Sequence, residues 1–169
     1  MFKQDTNNYW EQLERLEKLI RASELKAGII FSFHSLILGL FLDRLENFKP
    51  IFEDSVLLVI FTYCWIFLVL VSIFFCFRCF HPKMELKYDK NVFFFRDAAS
   101  RFGNVEEYSK KLMQTCDTEE EILTQLSQQI HVESKIVNQK FKSVQRAIAF
   151  FASSFIFVIL ILVFWIIKI

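Results

Sequence analysis

Charged and apolar positions fall in long separate blocks along this chain of 169 residues. Two blocks, Ser55 to Phe77 and Ala147 to Ile167, contain no charged residue, and Arg78, Arg146 and Lys168 mark their edges. Each supplies the roughly 20 residues that a helix, rising about 1.5 Å per residue, needs to cross hydrocarbon. A third block, Ala27 to Leu42, is also free of charge but is interrupted by Gly28, Ser32, His34, Ser35 and Gly39. It is short for a span. Leu25, Leu45 and the long side chains of Lys26 and Arg44 lengthen it, so we count 27–45 as spanning. The alternative is a buried or interfacial helix, which would leave two spans.

Before the first span, Tyr9, Leu13, Leu16 and Ile20 recur at three- and four-residue steps, with Glu11, Glu14, Lys18 and Arg21 on other faces. This pattern predicts an amphipathic helix over 1–26 that runs into the span, since no Gly or Pro intervenes. Pro50 is expected to break the connection over 46–54, and Pro82 to stop the helix of the second span, 55–77. From Met84 to Phe95 the sequence is aromatic and lacks a helical period, which predicts an extended segment with at most one short strand. Asp97 to Phe102 predicts a helical turn or two ending at Gly103.

Asn104 with Glu107 suits a helix start, and that helix is predicted through about Gln114. Thr118 with Glu121 reads as a capping box, with Glu119 and Glu120 favoured at the positive end of the helix dipole. Ile122, Leu126, Ile130, Val137, Phe141, Val144 and Ile148 then mark one apolar stripe, and no breaker precedes the last span, 147–167. A single helix is predicted from Glu119 to Ile167, roughly 73 Å long at 1.5 Å per residue. The fold class is an all-α integral membrane protein: three transmembrane helices with a small helical cytoplasmic region over 78–146.

Charge sets the orientation. Seventeen of the 20 Lys and Arg lie before the first span or between Arg78 and Arg146, and three lie elsewhere. Basic residues stay on the cytoplasmic side, so the N-terminus and 78–146 are expected in the cytoplasm, with 46–54 and the C-terminus in the periplasm. The net charge of +1 gives no global attraction to nucleic acid. The central segment is about half a common domain, too little for a large enzyme core. Met1 to Asn8 is polar and acid-bearing, so no cleavable signal peptide is expected ahead of the spans.

No catalytic or metal-binding constellation stands out. Cys76 and Cys79 have a C-x-x-C spacing without a second pair, which favours helix packing over zinc. His34, His81 and His131 lack a sequence-close Cys or carboxylate pattern typical of nucleophilic or metal chemistry. His34 with Ser32 and Ser35 is a polar cluster inside a span, open to a pore-lining role or to hydrogen bonding between helices. The cytoplasmic side carries what a small anionic nucleotide requires: charge for phosphate, an aromatic face for the base and amides or carboxylates for its edge. Arg21, Lys26, Arg96 and Arg101 supply charge; Tyr88, Phe94, Phe95 and Tyr108 supply rings; Asn91, Asp97, Gln128, Gln129 and Asn138 supply edge-reading groups.

At Arg21–Ile30 (RASELKAGII), Asn91–Phe95 (NVFFF), Val105–Leu112 (VEEYSKKL) and the run Gln-Leu-Ser-Gln-Gln-Ile at 125–130, the chain resembles the small transmembrane effectors of the bacterial Pycsar antiphage systems, the PycTM-like family. It departs from similar sequences at Arg96, where they carry Gly. The resemblance implies a non-enzymatic effector of the bacterial inner membrane. On phage infection a co-encoded cyclase makes cCMP or cUMP, and the effector responds by impairing the inner membrane, causing abortive infection. It implies that nucleotide as regulatory ligand, with no cofactor, and the lipid bilayer as a partner. Self-association is also expected, since three helices from one chain enclose no sizeable pore. The candidate ligand-binding set is Arg21, Glu24, Lys26, Asn91, Phe94, Phe95, Asp97, Gln128 and Gln129. The rival reading is a membrane-anchored scaffold or sensor that recruits a protein partner.

Overall fold

The computed structural model describes residues 5–81 and 90–168. The expected helix stop at Pro82 and the start of the extended segment over 84–89, with Tyr88, lie outside them. Among the described residues there are six α-helices and no strand: α1 (Thr6–Asp43), α2 (Leu45–Asp54), α3 (Val56–Phe80), α4 (Phe95–Ser100), α5 (Val105–Cys116) and α6 (Glu119–Lys168). Three of them, α1, α3 and α6, are long and apolar enough to cross a membrane. The chain is an all-α membrane protein. With no water in hydrocarbon to satisfy backbone groups, apolar runs of this length are stable there only as helices.

The chain forms two compact units, Met1–Arg21 with Lys83–Asn138 and Ala22–Pro82 with Gln139–Ile169. In the second unit, Ala27 and Ile30 of α1, Cys76 and Cys79 of α3 and Val144 and Ala147 of α6 form one buried cluster. The small side chains at 27, 76, 79 and 147 let three backbones approach closely, the usual basis of helix packing in lipid. Ser72 adds a hydrogen bond from its Oγ to the carbonyl of Ala147 at 2.9 Å. Trp65, Val69 and Ile161 form a second cluster, with Phe41, Phe61 and Phe157 packed on it.

Pro50 does not break the connection between α1 and α3. It sits inside α2, where it removes one backbone hydrogen bond. Ring contacts hold the helix in spite of that loss: Phe48 stacks on Phe41 at 5.7 Å and on Phe52 at 6.0 Å, and Trp165 lies 6.5 Å away.

In the first unit, Leu13 and Leu16 are buried as the α1 stripe requires, and Leu126, Val132 and Val137 are the buried apolar residues of α6. Phe95 opens α4 instead of ending an extended segment. Residue 96 is helical and no described residue has positive φ, so nothing at Arg96 demands glycine. Gly103 is no left-handed helix cap either. Its N–H donates to Glu107 Oε2 at 3.1 Å, and that carboxylate stands 2.8 Å from where a Cβ would be. Asn104 caps α5 as its position predicts, accepting from the Glu107 N–H at 2.8 Å.

Candidate functional site

The first unit is built around a buried polar core. Asn91 and Asp97 are wholly buried, and burying such groups is tolerable only when they are hydrogen-bonded. Asn91 meets that condition four times. Its backbone N–H donates to Asp97 Oδ2 at 2.9 Å, and its side-chain Nδ2 donates to the Gln125 carbonyl at 2.7 Å and to Gln128 Oε1 at 3.4 Å. Its Oδ1 accepts from the Phe93 N–H at 2.9 Å, closing a tight Asx-type turn. Gln125 extends the network: its Oε1 accepts from the Val92 N–H at 2.9 Å and its Nε2 donates to Thr115 Oγ1 at 3.2 Å.

Thr115 in turn donates to Glu121 Oε1, which also pairs with Lys111 at 3.0 Å. Glu121 is thereby drawn toward α5 and away from the box role expected with Thr118. Tyr108 donates to the Val92 carbonyl at 3.3 Å, and Arg101 lies 3.5 Å from Asp97 Oδ1. Together these bonds fix the 91–94 turn onto α6 and α5.

Beside this core is an open groove of about 550 Å³ lined by Tyr9, Glu120, Leu123, Thr124, Ser127, Gln128 and His131. Gln128 belongs to both features, one of the groove's walls and the acceptor for Asn91.

Of the candidate residues read from the sequence, the structure joins Asn91, Asp97 and Gln128 by direct or shared hydrogen bonds. Phe94 is buried, whereas Phe95 is 72% exposed with its ring 5.1 Å from that of Phe94. Gln129 donates to Glu133 Oε1 at 3.0 Å. Arg21 is exposed in the same unit and pairs with Glu17 one turn away. Glu24 and Lys26 belong to the second unit. There Glu24 accepts from Lys140, and Lys26 is exposed.

Burial raises the Glu133 carboxyl above the ordinary carboxylate range, opposed by the Gln129 hydrogen bond and assisted by the nearby Glu17 charge. Sequence reasoning missed Tyr9, Gln125, His131 and Lys140. Lys140 alone carried a signal, since it stands three residues after Val137 and four before Val144, on the apolar stripe itself.

A family described as the Pycsar effector protein domain matches residues 8–167, nearly the whole chain. No curated protein and no solved structure matches it.

Proposed function

From its membership of the Pycsar effector family, which gives it a part in Pycsar antiphage defence, we propose that the chain senses a cyclic pyrimidine nucleotide, cCMP or cUMP, through its first unit. Its membrane-crossing helices then impair the inner membrane and cause abortive infection. The family is one of effectors rather than catalysts. The observation that carries the sensing step is the double role of Gln128, which lines the groove and holds Asn91. Tyr9 offers a ring face, Thr124, Ser127 and Gln128 offer groups for the edge of a pyrimidine, and His131 offers an N–H for a phosphoryl oxygen. Glu120 accepts from a ribose hydroxyl or an exocyclic amine. Copies of the chain associate to form the membrane lesion.

The test is calorimetric titration of the full chain in detergent with cCMP and with cUMP. Tyr9→Ala and Gln128→Ala should each weaken binding about tenfold, the loss of one stacking face or of one hydrogen-bonding group. Unchanged affinity in both variants moves the site out of the groove. No binding of either nucleotide, together with recruitment of a protein partner, leaves the scaffold reading standing.

A further inference from the structure

Four cations of the second unit stand next to one buried cluster along their helices. Lys26 on α1, Arg78 on α3 and Lys142 and Arg146 on α6 are all exposed. They adjoin, in sequence and along their helices, the buried cluster of Ala27, Cys76, Cys79, Val144 and Ala147. That cluster is where three helices meet at the end of their apolar runs. Among the described residues none of the four makes an ion pair. The nearby acid of this unit, Glu24, is already taken by the buried Lys140.

Two observations point to an anionic ligand. Lys142 and Arg146 are one helical turn apart on α6 and carry like charge, an arrangement that repels unless an anion lies between them. The Arg146 guanidinium is held 5.5 Å over the Phe75 ring, which stacks on Phe150 at 5.7 Å with an 8° interplanar angle. A charged plane is thus anchored to aromatic surface at the edge of the hydrocarbon-facing region, where lipid phosphates lie. The other end of the unit offers no such field: Asp43, Glu46 and Glu53 there accompany Arg44 and Lys49, and Arg44 lies 3.5 Å from Asp43.

We propose that Lys26, Arg78, Lys142 and Arg146 form a collar that binds the headgroups of acidic phospholipids in the leaflet at that end of the helices. The occupant is a lipid and not a soluble anion, because the collar borders exposed apolar side chains such as Phe74, Phe77 and Ile148 on the same helices. An acidic lipid satisfies the cations with its phosphate and those side chains with its tails. This inference is independent of nucleotide sensing.

The full chain, reconstituted in vesicles of phosphatidylcholine with phosphatidylglycerol, is probed with spin-labelled lipids of each kind by electron paramagnetic resonance. The motionally restricted fraction should favour phosphatidylglycerol at least about twofold, in line with the attraction of each cation for an acidic surface, and molar salt should erase the preference. K142Q with R146Q should weaken it, and adding K26Q and R78Q should abolish it. R44Q with K49Q, at the other end, should leave it intact. Equal restriction of the two lipids around the wild-type chain overturns the proposal without any variant having to fold. Full displacement of the labelled phosphatidylglycerol by inorganic phosphate at constant ionic strength also overturns it, since the collar would then be a site for free anions.

Discussion

Lys140 on α6 donates to Glu24 on α1 at 2.7 Å and to the Cys79 carbonyl of α3 at 2.8 Å, while only 3% of the lysine side chain is exposed. Cys79 lies in the last turn of α3, where carbonyls have no partner within their own helix and the dipole is negative. One ammonium therefore caps α3 and neutralises a carboxylate of α1, joining three helices by charge where their apolar cluster ends.

Removing one partner of a buried pair costs about 3–5 kcal/mol, and the 40% exposure of Glu24 lowers the expectation here to about 1–3 kcal/mol. Lys140→Ala should destabilise more than Glu24→Gln, because a glutamine still accepts the lysine's hydrogen bond. Thermal unfolding in detergent checks the order. Equal stability of both variants with wild type would show that the pair holds nothing together.

Asn91 allows a sharper comparison. Asn91→Leu leaves the part-buried Phe93 N–H and Gln128 amide oxygen without this partner and takes from the Gln125 carbonyl its bond outside α6, and an orphaned buried group costs about 1–3 kcal/mol. We expect a loss of at least about 2 kcal/mol. Gln128→Ala removes only the long 3.4 Å contact and should cost well under half as much, so that its effect on nucleotide affinity stands apart from folding. A Gln128→Ala variant as unstable as Asn91→Leu would break that separation.

The parts of this fold legible in the sequence are those set by local pattern. The steps of Leu13 and Leu16 gave the buried face of α1, and Asn104 with Glu107 gave the start of α5, because each depends on neighbours within one turn. Pro50 misled for the converse reason: its local cost is offset by ring contacts of Phe48 with Phe41 and Trp165, which lie outside α2. Asn91 and Asp97 have the right chemistry to read a base, yet the same hydrogen-bonding capacity closes a turn in the interior. Composition does not separate these uses. Gln125 escaped notice because its partners, Val92 and Thr115, lie on other elements.

Glu133 gives a pH-dependent prediction. Burial raises its folded-state pKa, so its protonated form fits the fold better. Its contribution is fully present below the unfolded pKa and is lost as pH rises through the folded pKa. Glu133→Gln keeps an oxygen acceptor for Gln129 and removes the half-buried charge near Glu17. The variant should melt higher than wild type near neutral pH, and the difference should vanish as pH falls below the carboxylate range. A gain that persists unchanged at acid pH would rule out ionisation as its cause.

The proposed route from sensing to membrane damage runs along α6. α6 is continuous from Glu119 to Lys168, and Ser143, 6% exposed, stands four residues before the apolar run that begins at Ala147. Proline at this position deletes a backbone hydrogen bond and clashes with the carbonyl one turn earlier, costing about 3 kcal/mol locally. The groove residues Tyr9, Gln128 and His131 are untouched in sequence, and none of them lies within ten residues of the break. Ser143→Pro should therefore still enter the membrane fraction and bind nucleotide like wild type. It should no longer depolarise cells in which a pyrimidine cyclase is active. A potential-sensitive dye reads the outcome, with immunoblotting to confirm expression. Depolarisation at the wild-type level would show that the signal does not travel through an unbroken α6. Loss of nucleotide binding in the same variant would instead place residue 143 in the sensing machinery.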